Sequence, residues 1–212
     1  MEGSPHTYVP KVAIRKPAPP INATAYFNYD FTKVNLDDYK GKYIVLFFYP
    51  LDFTFVCPTE IIAFSDAQAK FTEFDCQILG CSIDSQFSHM EYCMKTRKQG
   101  GLGDMKIPLI SDLSKQISKD YGTYIDHGED NGVSFRSTFI IDKEGIVRHI
   151  SMNDLPVGRS IEEIARLVQA FQYTDIHGEV CPAKWKPGDA TMDPDHKSDK
   201  TKEYWEKEHD KK

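Results

Sequence analysis

The chain has 212 residues, of which 27% are charged and 40% hydrophobic, and its net charge is −6. This is globular material for one to two domains, and its acidic balance argues against a nucleic-acid backbone binder. The longest apolar run, Tyr43 to Tyr49, falls well short of the ~20 residues that cross a bilayer.

The elements follow in chain order. Residues 1–25 are proline-rich around Lys16-Pro17-Ala18-Pro19-Pro20 and read as an extended arm. The opening Met1-Glu2-Gly3-Ser4-Pro5-His6 lacks the charged start and apolar middle of a secretory leader, so a cytoplasmic location is expected. Residues 27–38 suit a hairpin. Tyr43 to Tyr49, rich in β-branched and aromatic residues, reads as a buried central strand stopped by Pro50. From Pro58 onward, Ile61, Ile62, Phe64, Ala67, Phe71 and Phe74 share one helical face. A second strand is predicted over 76–83 and a helix over 87–98. Gly100-Gly101-Leu102-Gly103 must be a loop. A short strand over 108–111 and a helix over 113–121 follow. Strands over 134–141 and 146–152 flank Asp142-Lys143-Glu144-Gly145, a hairpin signal with Gly145 free to take positive φ. Ser160 opens a helix reaching Phe171, with Glu163 placed for a capping box.

Alternating strands and helices imply an α/β fold, with a mixed but mostly parallel sheet and helices on both faces. The expected division is an arm over 1–25, a core domain over 26–177 and a C-terminal arm over 178–212. In the last twenty residues thirteen are charged, so the segment needs Tyr204-Trp205 as its apolar anchor.

The five cysteines, Cys57, Cys76, Cys81, Cys93 and Cys181, are odd in number and irregular in spacing, unlike a secreted disulfide framework. The absence of C-x-x-C removes zinc ribbons and the thioredoxin-type dithiol. The absence of H-E-x-x-H removes a zinc protease. No metal site is expected.

The segment Pro50 to Glu60 joins the central strand to the first long helix, where reactive groups collect at strand ends. Pro58 suits the first helical position, which puts Cys57 at the N-cap under unpaired N–H groups and the positive end of the dipole. A free thiol near pKa 8.5 is only a few per cent ionised at neutrality. Bringing a thiol to about 6 takes roughly 3.4 kcal/mol, and a helix terminus supplies about 0.3–1, or ~2 when partly buried. A second cation is needed, yet residues 43–69 contain no Lys or Arg. Arg136, set among strand residues where an unpaired charge is expensive, is the best candidate, with Glu60 holding its other side.

Pro50-x-x-x-Thr54-x-x-Cys57 resembles the active-site signature of peroxiredoxins. Phe48-Tyr49, Pro58-Thr59-Glu60 and Val180-Cys181-Pro182 resemble their typical 2-Cys subgroup, over nearly the whole chain. The resemblance implies a thioredoxin-like fold and a thiol peroxidase that uses no metal or haem. It implies that Cys57 is the peroxidatic cysteine, and that Thr54 and Arg136 bind peroxide and stabilise the thiolate. Pro50 would shield the sulfur, Glu60 orient the arginine, and Arg159 be a second arginine near the site. Cys181 would be the resolving cysteine, supplied by the partner subunit of a head-to-tail homodimer, with five dimers forming a ring. Thioredoxin would reduce the Cys57–Cys181 disulfide; sulfiredoxin is a further implied partner and holdase activity a further implied role. Gly100, Gly101, Leu102 and Gly103, with Tyr204 and Trp205 in place of the family's usual Tyr-Phe, resemble the motifs tied to overoxidation sensitivity. Cys76, Cys81 and Cys93 read as structural.

Overall fold

The computed structural model describes residues 8–209; residues 1–7, on which the cytoplasmic reading rests, and 210–212 lie outside them. No helix among the described residues is long and apolar enough to cross a membrane. The chain divides into two compact units, Met1–Arg159 and Ser160–Lys212.

The first unit is built on seven strands. They are β1 (Asn22–Phe27), β2 (Asp30–Asn35), β3 (Tyr43–Phe48), β4 (Cys76–Ser82), β5 (Leu109–Ser111), β6 (Arg136–Ile141) and β7 (Val147–Asn153), ordered β2-β1-β5-β4-β3-β6-β7. Every side chain of β3 is buried, as its unbroken apolar run predicts. Each such side chain contributes roughly 1.5–3 kcal/mol by leaving water. Leu46, Phe48, Phe139, Ile110 and Val147 centre the core.

The sheet is mixed and not mostly parallel. β3–β4 and β4–β5 run parallel, while β1–β2, β1–β5, β3–β6 and β6–β7 run antiparallel. Strand–helix–strand alternation forces parallel pairing only where a helix carries the chain back across the sheet. Here α1 (Cys57–Glu73) and α2 (Gln86–Met94) do so, and hairpins close both edges. In the β1–β2 hairpin Asn28 and Tyr29 both hold positive φ, 51° and 62°, which matches the twist of a two-residue turn. In the β6–β7 hairpin Gly145 takes φ +81°. There Asp142 Oδ1 accepts the Glu144 and Ile146 N–H groups at 3.1 and 2.8 Å.

Residues of the expected extended arm bond to this unit. Lys11 and Val12 N–H donate to the Asp120 carbonyl, Ala18 N–H to that of Gly145, and Ile21 is buried. Their backbone groups find partners in the sheet unit, which an unpaired arm would leave to water. The helix α2 ends at Met94, and Arg97–Gln99 forms a separate short helical turn before the glycine loop. In that loop a Cβ on Gly101 would lie 2.1 Å from the Lys95 carbonyl oxygen, so only glycine fits. The helix α3 shrinks to Gln116–Asp120, with Asp112 accepting the Ile117 and Ser118 N–H groups.

In the second unit, α4 (Ile161–His177) starts at Ser160, whose hydroxyl accepts the Glu163 N–H at 3.2 Å. The Glu163 carboxylate also pairs with Arg166. The helix runs six residues past Phe171 and stops at Gly178 in the left-handed conformation. Val180 and Met192 then pair through their backbones, and α5 (Asp199–His209) closes the described chain. Its buried residue is Thr201, whose hydroxyl donates to the Asp193 carbonyl at 3.0 Å. Of the expected anchor pair, Tyr204 is half-buried, and Trp205 is 52% exposed and stacks on His209.

Candidate active site

The chain leaves β3 at Phe48, passes buried Pro50 and enters α1 at Cys57. Cys57 is the first helical residue, and Val56, already helical at φ −79° and ψ −37°, holds the cap position. The thiol therefore sits one residue further into the helix than expected, with Pro58 behind it. Val56 has no polar side-chain atom, so its carbonyl alone organises the turn, accepting the Thr59 N–H at 3.0 Å and the Thr59 hydroxyl at 2.6 Å.

The missing cation arrives across the sheet. Arg136 opens β6 beside β3, and its Nη1 donates to Cys57 Sγ at 3.3 Å and to Glu60 Oε2 at 2.7 Å. Its Nε donates to the Leu155 carbonyl at 2.6 Å. Glu60 lies one turn into α1 and holds a second guanidinium. Arg159 Nε donates to Glu60 Oε1 at 2.8 Å, as does the Arg159 backbone N–H at 3.0 Å. Arg159 Nη1 donates to the Phe48 and Ser137 carbonyls at 2.9 and 2.7 Å, and its guanidinium lies over the Phe47 and Phe64 rings. Burial lowers Arg159 from the ordinary arginine range, and its bond to Glu60 opposes that shift.

Charge conservation gives the cluster its sense. Two guanidiniums face one carboxylate, all three nearly buried, leaving one surplus positive charge inside the protein. Buried charge is tolerated when paired. The sulfur of Cys57, itself 1% exposed, is the group that surplus faces. A unit charge 3.3 Å from an anionic sulfur is worth about 5 kcal/mol at an effective dielectric of about 20. That exceeds what a helix terminus offers.

Thr54 stands differently. Its hydroxyl donates to the Leu51 carbonyl at 3.0 Å, and among the described residues no hydrogen bond joins it to Cys57. Next to it, Phe53 holds a positive φ of 56°, unusual for a bulky residue. Asp52 is buried and fully engaged: Tyr49 and Ser88 hydroxyls donate to it at 2.9 and 2.8 Å, and His89 Nδ1 lies 2.8 Å away. The sequence reading assigned nothing to Asp52, His89 or the Leu155 carbonyl; an Asp five residues before the thiol carried no spacing signal that the fold had not yet supplied.

The other thiols differ in kind. Burial pushes Cys93 up to about 12 and also raises Cys76 and Cys81 well above the ordinary thiol range. Cys181, half-buried in the second unit, is also raised, first by burial and then by the Glu179 charge, with Arg166 opposing. Its sulfur faces the Ala170 carbonyl at 3.8 Å. Tyr204 and Trp205 meet edge to face in α5 at 5.5 Å. A cavity of about 260 Å³ between Pro17, Leu36, Ile44 and Lys143 lies at the far end of β3 from Cys57 and contains no thiol.

Residues 14–150 match the AhpC/TSA family, and residues 170–207 match the C-terminal domain of 1-Cys peroxiredoxin. The chain is 55% identical to peroxiredoxin-2 of Bos taurus over 197 residues, 93% of this chain and 96% of that one. The chain belongs to the peroxiredoxin family. It is 58% identical to peroxiredoxin 2 of Drosophila melanogaster over 193 residues, covering 91% of this chain and 97% of that one. The reduced 2-Cys peroxiredoxin of Plasmodium vivax superposes with a TM-score of 0.82 at 44% identity, covering 86% of this chain and 94% of that one. The fold is thus the thioredoxin-like fold of the peroxiredoxins, and the chain is a thiol peroxidase of the 2-Cys type. The tail match is to a domain named for one-cysteine enzymes, yet in this peroxiredoxin that segment contains Cys181.

Proposed function

We propose that Cys57 reduces hydrogen peroxide and small organic hydroperoxides through a sulfenic acid that the partner's Cys181 resolves. The observation that carries this reading is the 3.3 Å contact from Arg136 to Cys57 Sγ, inside a buried cluster with one surplus positive charge. The thiolate attacks one peroxide oxygen in line. An S–O bond forms, the O–O bond breaks, sulfur loses two electrons, and hydroxide or alkoxide departs and takes a proton from solvent. Donors aimed at the departing oxygen lower such a barrier most, and the Arg136 guanidinium and the Thr54 hydroxyl are assigned that role. Glu60 and Arg159 hold Arg136 in place, and Pro50 walls the sulfur from water.

The sulfenic acid then condenses with the Cys181 thiol of the partner subunit, forming a disulfide and releasing water. A thioredoxin-class dithiol returns both sulfurs to thiols. The functional unit is a homodimer with two equivalent sites. Phe55, Phe87 and Leu113, all strongly exposed in the single chain, support further assembly of dimers into a ring. No metal or other cofactor enters this chemistry.

The test is peroxide consumption coupled to thioredoxin. Cys57→Ser is expected to abolish turnover. Non-reducing electrophoresis after a peroxide pulse is expected to show a covalent dimer in the wild type that Cys181→Ser removes. A dimer band that persists in Cys181→Ser overturns the resolving role.

A further inference from the structure

Tyr92, on α2, is a buried side chain that the mechanism above does not use. It is fully buried, and its hydroxyl has no hydrogen-bond partner among the described residues. An unpaired buried donor costs roughly 1–3 kcal/mol, so an interior position for this hydroxyl needs a reason. Phenylalanine would fill the same space without that loss.

The surroundings supply one. The Tyr92 ring packs on that of Phe53 at 4.3 Å, and Phe53 is the residue in left-handed conformation immediately before Thr54. The Tyr92 carbonyl accepts the Leu102 N–H at 2.9 Å, which ties the backbone of α2 at this residue to the glycine loop. Burial raises the phenol above its ordinary value, and the charges of Asp52 and then Cys57 raise it further. Asp52 already receives Tyr49 and Ser88 and faces His89. The Phe53 backbone N–H lies near the phenol oxygen, but an N–H offers nothing to the O–H proton. The group is thus a buried donor lacking an acceptor, on a ring packed against the Pro50–Cys57 segment through Phe53.

We propose that the Tyr92 hydroxyl is a hydrogen-bond donor to oxygen during the Cys57 reaction, first to that of the bound peroxide and then to that of the sulfenic group. This rests on the Cys57 chemistry set out under Proposed function and adds a donor to it. Tyr92 transfers no proton. The O–H bond stays intact, the O–O bond breaks, the S–O bond forms, and solvent protonates the departing hydroxide as before. The hydroxyl is unsatisfied in the resting protein because its partner is delivered by substrate, and the resting fold bears the loss.

The experiment is Tyr92→Phe in the full chain, with three measurements. Stopped-flow oxidation of Cys57 by hydrogen peroxide is expected to slow by about five- to tenfold, the value of one hydrogen bond. Alkylation of Cys57 by iodoacetamide, which brings no peroxide oxygen, is expected to keep its wild-type rate. The thermal unfolding midpoint is expected to rise, because an unpaired buried donor is removed. A raised midpoint with an unchanged peroxide rate overturns the proposal and leaves a hydroxyl that is merely badly placed. An equal fall in both rates also overturns it, because Tyr92 then shapes the loop and does not act on oxygen. The wild-type peroxide rate, measured alongside, tests the Cys57 chemistry itself, so failure there is distinct from failure of the Tyr92 assignment.

Discussion

Cys57 and Cys181 are the same chemical group in opposite surroundings. Cys57 is shut away from solvent under Arg136, in a cluster with a positive surplus. Cys181 is half-exposed, and partial burial works against its ionisation, with Arg166 opposing and the Glu179 charge adding a smaller push in the same direction as burial. Around Glu179 the second unit gathers Lys200, Tyr173 and Thr191, which hold that carboxylate down to about 2, so it stays charged throughout the working range. The contrast fits the two roles proposed above, one sulfur that meets a small, neutral oxidant and one that waits as a thiol.

The comparison breaks most visibly at Arg136. Arg136→Ala removes the charged donor to Cys57 and leaves Glu60 with Arg159 alone. Loss of one such donor is expected to lower the second-order rate with hydrogen peroxide by about 10²–10³, read by stopped-flow competition. A change under threefold would show that Cys57 owes its chemistry to something other than this cluster.

The Cys181 side is sharpened by pH. Thiolate is the attacking form, and a thiol raised above its ordinary value stays mostly protonated through neutrality. Disulfide formation after a single peroxide pulse should therefore accelerate by about tenfold per unit from pH 6 to 8. Glu179→Gln removes a charge that raises Cys181, so the same profile should shift toward lower pH by a fraction of a unit. A flat profile would mean that Cys181 attack does not limit the step.

The smallest effect is expected at Cys93. Burial holds this thiol at about 12, far from ionisation at any working pH. Cys93→Ala should leave turnover within about twofold while lowering stability by roughly 1 kcal/mol through the space it vacates, measured by urea unfolding. A large loss of turnover would add a third working sulfur to the pair.

Much of this was legible before folding. The apolar run of β3, the Ser160 cap and the Asp142–Gly145 turn are local signals, and each element stands where its residues imply. Arg136 was legible because a guanidinium inside an apolar strand has to be paired. Strand direction was not legible. Alternation says where helices intervene, but β6 enters antiparallel to β3 after a long loop that carries no directional pattern. The helix start was misplaced by one residue because Pro58 tolerates either of the first two helical positions. The Thr201 contact was not legible, since a threonine hydroxyl buried against the Asp193 carbonyl leaves no mark in spacing. Tyr92 carried no signal at all, since an unpartnered hydroxyl is a property of surroundings and not of spacing.

The missing polar cap at Val56 has a mechanical consequence. A helix begun without a serine, threonine or aspartate forgoes about 1 kcal/mol of anchorage. The first turn of α1 is then secured by the Val56 carbonyl, by the ion pairs of Glu60 and by the contact between Cys57 Sγ and Arg136. In the proposed chemistry, an oxygen arriving on that sulfur weakens its pull on Arg136, so the first turn of α1 is expected to be held less firmly after oxidation than before it.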